Sequence, residues 1–183
     1  MNQKPKNEIT TLFIWRVSLT HTVAYFVAGI FALSFMGYKE KFVSDIMSSI
    51  MRPVDSPWVA IGSGLQIIRG IIIALVLLPF REILISRNGW LKFAGLILGL
   101  SYISTIGPTF GSFEGYIYTK IPLQYHLLGI PETLLYVSLF TTLFHLWYKK
   151  PNKLWNIVLT ISVILIVLIS FLGYLSSIGL IKH

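Results

Sequence analysis

The chain has 183 residues, of which 55% are hydrophobic and 12% charged, with a formal net charge of +8 and no cysteine. The charged share is about half the roughly 25% of a soluble domain, so the composition points to an integral membrane protein. Lack of cysteine excludes disulfides, thiolate catalysis, cysteine-ligated clusters and covalently attached haem. The basic residues sit in short segments beside apolar runs rather than in a stripe interleaved with aromatics, which argues for topology signals and headgroup contacts and against nucleic acid.

Residues 1–11 are polar, and the first apolar run is Leu12 to Met36. Ala32 and Ser34 resemble a signal-peptide cleavage site, but the run is too long, and Arg16 and His21 interrupt it. It is read as a retained span, 12–36, with Arg16 snorkelling to the headgroups near one end. In the charged segment that follows, Phe42, Val43, Ile46, Met47, Ile50 and Met51 recur at helical spacing. The pattern predicts an amphipathic helix over 40–52 lying on the membrane, ended by Arg52-Pro53.

The second span is 58–80. Its 23 residues cover about 34 Å as a helix, enough for a hydrocarbon core of about 30 Å. One permanent charge, Arg69, lies near its middle, where a guanidinium costs roughly 2.5 to 3.5 kcal/mol by insertion scales. The third span, 90–106, carries Gly95 and Gly99, a close-packing pair that is common in spans. A loop over 107–122 is rich in glycine and aromatics and includes Glu114, Tyr116, Tyr118 and Lys120. Long loops of this kind are uncommon without a function, although an aromatic belt at the headgroups also explains it.

The fourth span, 123–147, contains Gly129-Ile130-Pro131-Glu132. This is either a broken helix within the membrane or an ordinary helix start, with proline in the first turn and an acid on the helix dipole. The fifth span, 154–178, is free of charge. The expected architecture is therefore all-α: one polytopic domain over 1–183 with five transmembrane helices and one interfacial amphipathic helix.

Alternate connections give the orientation. Lys4, Lys6, Arg81, Arg87, Lys92, Lys149, Lys150 and Lys153 fall on one side, and Lys39, Lys41, Arg52, Lys120 and Lys182 on the other. The positive-inside rule puts the N-terminus in the cytoplasm of a cell-membrane protein and the C-terminus outside.

Glu132 is the only acid within an expected span and the natural counter-ion for Arg69. Measured from the inner ends of their spans, Arg69 lies at about 16 Å, Glu132 at about 24 Å and His21 at about 14 Å. Gly62, Gln66 and Arg69 share one helix face, as do Ser18, His21, Thr22 and Tyr25. Two polar faces in one bilayer should meet, so an internal cluster of His21, Gln66, Arg69 and Glu132 is expected. Glu114, His126 and Glu132 form a second group near the outer surface.

The His126 to Glu132 spacing is not one that metal-binding helices enforce, and no histidine pair sits at matched depth for haem. No metal or cofactor is expected. No nucleophile elbow, phosphate loop or nucleotide fingerprint is present, and no catalytic residue is assigned. The leading functional expectation is transport of a small solute or ion, alone or as a subunit, with the polar cluster lining the path and a homo-oligomer or partner membrane subunit completing it. The alternatives are an intramembrane enzyme acting on a lipid-like ligand through Glu114, His126 and Glu132, and a non-catalytic partner subunit.

Overall fold

The computed structural model describes residues 6–102 and 109–181, with side chains from residue 9 onward. Its described residues are helical, without strands, and four helices are long and apolar enough to cross a membrane: Ile9–Phe35, Pro57–Ile85, Leu123–Lys149 and Lys153–Ser177. In chain order the helices are α1 (Lys6–Phe35), α2 (Tyr38–Phe42), α3 (Pro57–Leu77), α4 (Arg81–Ile85), α5 (Gly89–Ser101), α6 (Phe113–Tyr118), α7 (Leu123–Leu128), α8 (Ile130–Lys149) and α9 (Lys153–Ser177).

α1 is the central helix and packs against α3, α8 and α9, while α3 also packs against α9 and α5 lies on α8. Two cores result. Phe13, Phe93, Phe140 and Phe144 fill the space between α1, α5 and α8, and Leu19, Trp147, Leu159 and Val163 fill that between α1, α8 and α9. Small residues let α3 come close to its neighbours. A methyl at Gly70 would stand 2.9 Å from Ser18 Cα and 3.0 Å from its carbonyl oxygen, and one at Gly64 would stand 3.1 Å from Ser170 Cβ. Gly95 and Gly99 have nothing within 4 Å.

Local sequence explains where the helices begin. Ser56 caps α3 by accepting from Val59 N–H, and Pro57 occupies the first turn, where its missing N–H costs nothing. Asn152 caps α9 in the same way, with its side chain accepting from Leu154 N–H at 3.2 Å. Pro79 ends the α3 ladder in a short 3-10 turn over Leu78–Phe80, and α4 continues the rod to Ile85.

Two expected elements differ. The apolar helix of the expected third span ends at Ser101, so its 13 residues cover about 20 Å. The rest of that span, 103–106, and the start of the following loop lie outside the described residues, as do Lys4 and Lys182. α5 lies along α8 and is tied down at both of its own ends. Trp90 Nε1 donates to Thr142 Oγ1 at one end, and Tyr102 Oη donates to the His126 carbonyl at the other.

The amphipathic helix over 40–52 is also broken. α2 stops at Phe42, and 43–51 are turns that mix three- and four-residue hydrogen bonds. The Ser44, Ser48 and Ser49 hydroxyls bond to the carbonyls of Lys41, Asp45 and Ile46. Such local bonds offer the backbone an alternative to a continuous ladder. Met47 is buried, and Val43, Ile46 and Ile50 stay exposed.

Candidate functional site

The polar residues converge where α1 is flanked by α3 and α8. His21 is fully buried, at 0% exposure, and reaches both neighbours. Its Nδ1 lies 2.8 Å from Tyr136 Oη on α8, and its Nε2 lies 3.3 Å from Gln66 Oε1 on α3. Gln66 Nε2 donates to the Gly62 carbonyl at 3.2 Å, which turns Oε1 toward the histidine. The network therefore assigns the ring proton to Nε2, donating to Gln66, and leaves Nδ1 to accept from the Tyr136 hydroxyl. His21 packs edge-on against the Tyr136 and Phe140 rings, so it is held by packing as well as by both nitrogens.

Arg69 extends the chain by one link. Its Nη1 donates to the same Gln66 Oε1 at 3.5 Å, and its guanidinium lies 5.8 Å from the centre of the Tyr25 ring. The side chain remains exposed. Along α3 it stands 12 residues, about 18 Å, from Pro57, so the charge is deep in the span. Of the α1 polar stripe, only His21 and Tyr25 turn outward to other helices. Ser18 and Thr22 bond back to the carbonyls of Ile14 and Ser18.

Glu132 does not complete the cluster. The expected ion pair with Arg69 is replaced by a 2.5 Å hydrogen bond from Tyr38 Oη to Glu132 Oε2. The reason is local. Pro131 and Glu132 fall in the first turn of α8, after a one-residue interruption at Gly129, and the carboxylate there is turned to Tyr38 instead of Arg69. Gly37 adopts φ +63°, a left-handed turn that brings Tyr38 back over that end. Burial, reinforced by the bond to Glu132, pushes the Tyr38 hydroxyl well above the usual phenol range. Among the described residues, Arg69 has no carboxylate within ion-pairing distance.

Arg16 is a second correction. In place of snorkelling to the headgroups, it is 6% exposed and folded into the bundle. Its guanidinium lies 4.4 Å from the Tyr148 ring centre and 5.2 Å from that of Trp147, and Nη1 donates to the Trp147 carbonyl at 3.4 Å. Arg16 lies ten residues into α1, level with Trp147 and Tyr148 in the last turn of α8, and those rings close over it.

The outer group is spread over separate contacts. His126 is buried between the Phe110 and Tyr116 rings, and its Nδ1 accepts from Gly111 N–H at 3.2 Å. Its Nε2 has no hydrogen-bond partner. Glu114 lies in the first turn of α6, capped by Ser112. Glu132 belongs to Tyr38. Among the described residues no three His, Asp or Glu side chains are grouped so as to hold a metal ion.

No family model, curated protein or solved structure matches this chain. The site's meaning therefore rests on its own geometry. It contains an imidazole at the centre of the bundle bonded through both nitrogens, an amide that links it to a guanidinium, and a guanidinium that, among the described residues, has no carboxylate within ion-pairing distance. Tyr136 was missed as a partner of His21, although its position four residues after Glu132 and four before Phe140 marks it as facing α1. Tyr38 had no comparable signal, because its place depends on the turn at Gly37.

Proposed function

We propose that the chain is a membrane-embedded transport protein, or a subunit of one, whose working site is the His21–Gln66–Arg69 network and whose solute carries an anionic group. One observation carries the reading: Arg69 is exposed, deep in a span, beside a polar network and, among the described residues, without a carboxylate within ion-pairing distance. A permanent cation in that position is costly unless a countercharge arrives, and a small anion supplies it. Gln66 and Tyr25 hold the guanidinium from one side and leave the other free for a ligand. On this reading α5 belongs to a fifth crossing, the N-terminus is cytoplasmic as the positive-inside rule indicates, and the exposed Gly95 and Gly99 offer a close-contact face for a second copy.

The test is flux. Purified protein in liposomes, challenged with gradients of chloride, phosphate and small carboxylates, should give saturable uptake of at least one, abolished by Arg69→Gln. The absence of uptake for every anion, or uptake that survives Arg69→Gln, would overturn it. The exposure of Arg69 also favours a second reading, a partner subunit whose own acid pairs with the guanidinium. That reading requires a co-purifying membrane protein that Arg69→Gln releases.

A further inference from the structure

The end of the bundle away from Glu132 holds a cleft that the proposed transport site does not use. It lies between the start of α5 and the last two turns of α8, and its volume is about 410 Å³. This is within the range of roughly 300–1,000 Å³ typical of ligand sites. Arg87 and Lys149 supply its charge, His145 lines it, and no acid does. The walls are apolar: Leu91 is 66% exposed and Leu146 is 41% exposed. Trp90 also lines the cleft, and its indole N–H is bonded to the Thr142 hydroxyl, which holds the ring in the position typical of an interfacial tryptophan. α5 begins at the same place, where Asn88 makes no side-chain cap bond and Gly89 N–H is bonded to the Ser86 carbonyl.

We propose that this cleft binds the headgroup phosphate of an anionic phospholipid. Two cations in a cleft whose lining holds no acid suit a phosphate. A free phosphate would leave Trp90, Leu91 and Leu146 uncovered. A phospholipid covers them with its glycerol and upper acyl carbons while its phosphate meets Arg87 and Lys149. The position is consistent, because both cations are at helix ends, where headgroups lie.

The test uses the full chain, purified in detergent and depleted of lipid. Native mass spectrometry would follow titration with phosphatidylglycerol and, separately, phosphatidylcholine. Phosphatidylglycerol should bind in preference, and Arg87→Gln with Lys149→Gln should weaken that binding by roughly tenfold to thirtyfold, as expected for two cations near an anionic surface. Lys39→Gln with Lys41→Gln, which removes equal charge at the opposite end, should leave it unchanged. Arg87, Lys149 and Lys39 are exposed and Lys41 is half-buried, with its Nζ donating to the Met36 carbonyl, so thermal unfolding checks that each variant folds. Inorganic phosphate should not displace the lipid. Equal binding of the two lipids, equal weakening by the two double variants, or full displacement by inorganic phosphate would each overturn the assignment.

Discussion

Gly70→Ala tests the packing that makes the network possible. The added methyl would sit 2.9 Å from Ser18 Cα, 3.0 Å from Ser18 O and 3.2 Å from His21 Cδ2. Two of these atoms are backbone, so relief requires α1 and α3 to separate by about half an ångström or more to restore ordinary carbon contact. The His21–Gln66 hydrogen bond is already 3.3 Å long and does not survive that movement. Overpacking costs about 1–3 kcal/mol and the broken bond about another 1 kcal/mol, partly offset by the helix preference of Ala over Gly, worth up to about 1 kcal/mol. Gly29→Ala and Gly62→Ala are the controls, because both positions face open space and carry only the favourable propensity. The propensity gain is common to all three variants, so thermal unfolding in detergent should place Gly70→Ala below both controls by roughly 4–16 °C for a chain of this size. If Gly70→Ala unfolds with the controls or above them, the close α1–α3 contact and the hydrogen bond that depends on it are wrong.

Other perturbations separate the remaining contacts. Tyr136→Phe removes the donor to His21 Nδ1 while keeping the ring, and should destabilise by about 1–3 kcal/mol, the cost of a buried acceptor left without its partner. Denaturant titration reads it, and a wild-type midpoint would remove Tyr136 from the network. Arg16→Met should be within about 1 kcal/mol of wild type or more stable, because it removes a buried charge that has no acid within ion-pairing distance among the described residues and keeps most of the volume between Trp147 and Tyr148. A loss above about 3 kcal/mol would mean that an unseen partner neutralises Arg16. The Tyr38 hydroxyl is held protonated in the fold, so its contribution is complete below the phenol value of about 10 in the unfolded chain and declines as pH rises above it. Stability measured from pH 8 upward should therefore fall less steeply for Tyr38→Phe than for wild type, and parallel curves would contradict the Tyr38–Glu132 contact. Because the chain has no cysteine, single cysteines at Asn152 and Ser49 give a clean topology test. In inverted and right-side-out vesicles they should label from opposite faces, Asn152 from the cytoplasmic one.

The long spans were legible because each is a run of apolar residues longer than a hydrocarbon core requires. The meeting of His21 with Gln66 was legible too, since polar faces at matched depth on two such helices have nowhere else to go. Periodicity alone did not separate the two possible roles of Pro131-Glu132, because a helix start and a mid-span break share the same residues, and the depth of the start depends on what packs above it. Tyr38 was invisible for a related reason: one glycine in a left-handed conformation decides which way the chain turns. Arg16 was misplaced because snorkelling is the usual outcome for an arginine near a span end, and only the neighbouring helix shows that Trp147 and Tyr148 enclose it. The segment 40–52 has a sound amphipathic pattern, but pattern does not count the serine hydroxyls that compete for its carbonyls.

The account depends most on Arg69 being reserved for an anion, and ligand-dependent unfolding measures this without requiring turnover. Purified protein would be heated with increasing concentrations of each candidate anion at constant ionic strength. An anion that binds the native fold at a hundred times its dissociation constant contributes about 2.7 kcal/mol, a rise of several degrees. The account predicts such a rise for at least one small anion in the wild type and none in Arg69→Gln. Equal rises in the two proteins, or none in either for any anion, would contradict it.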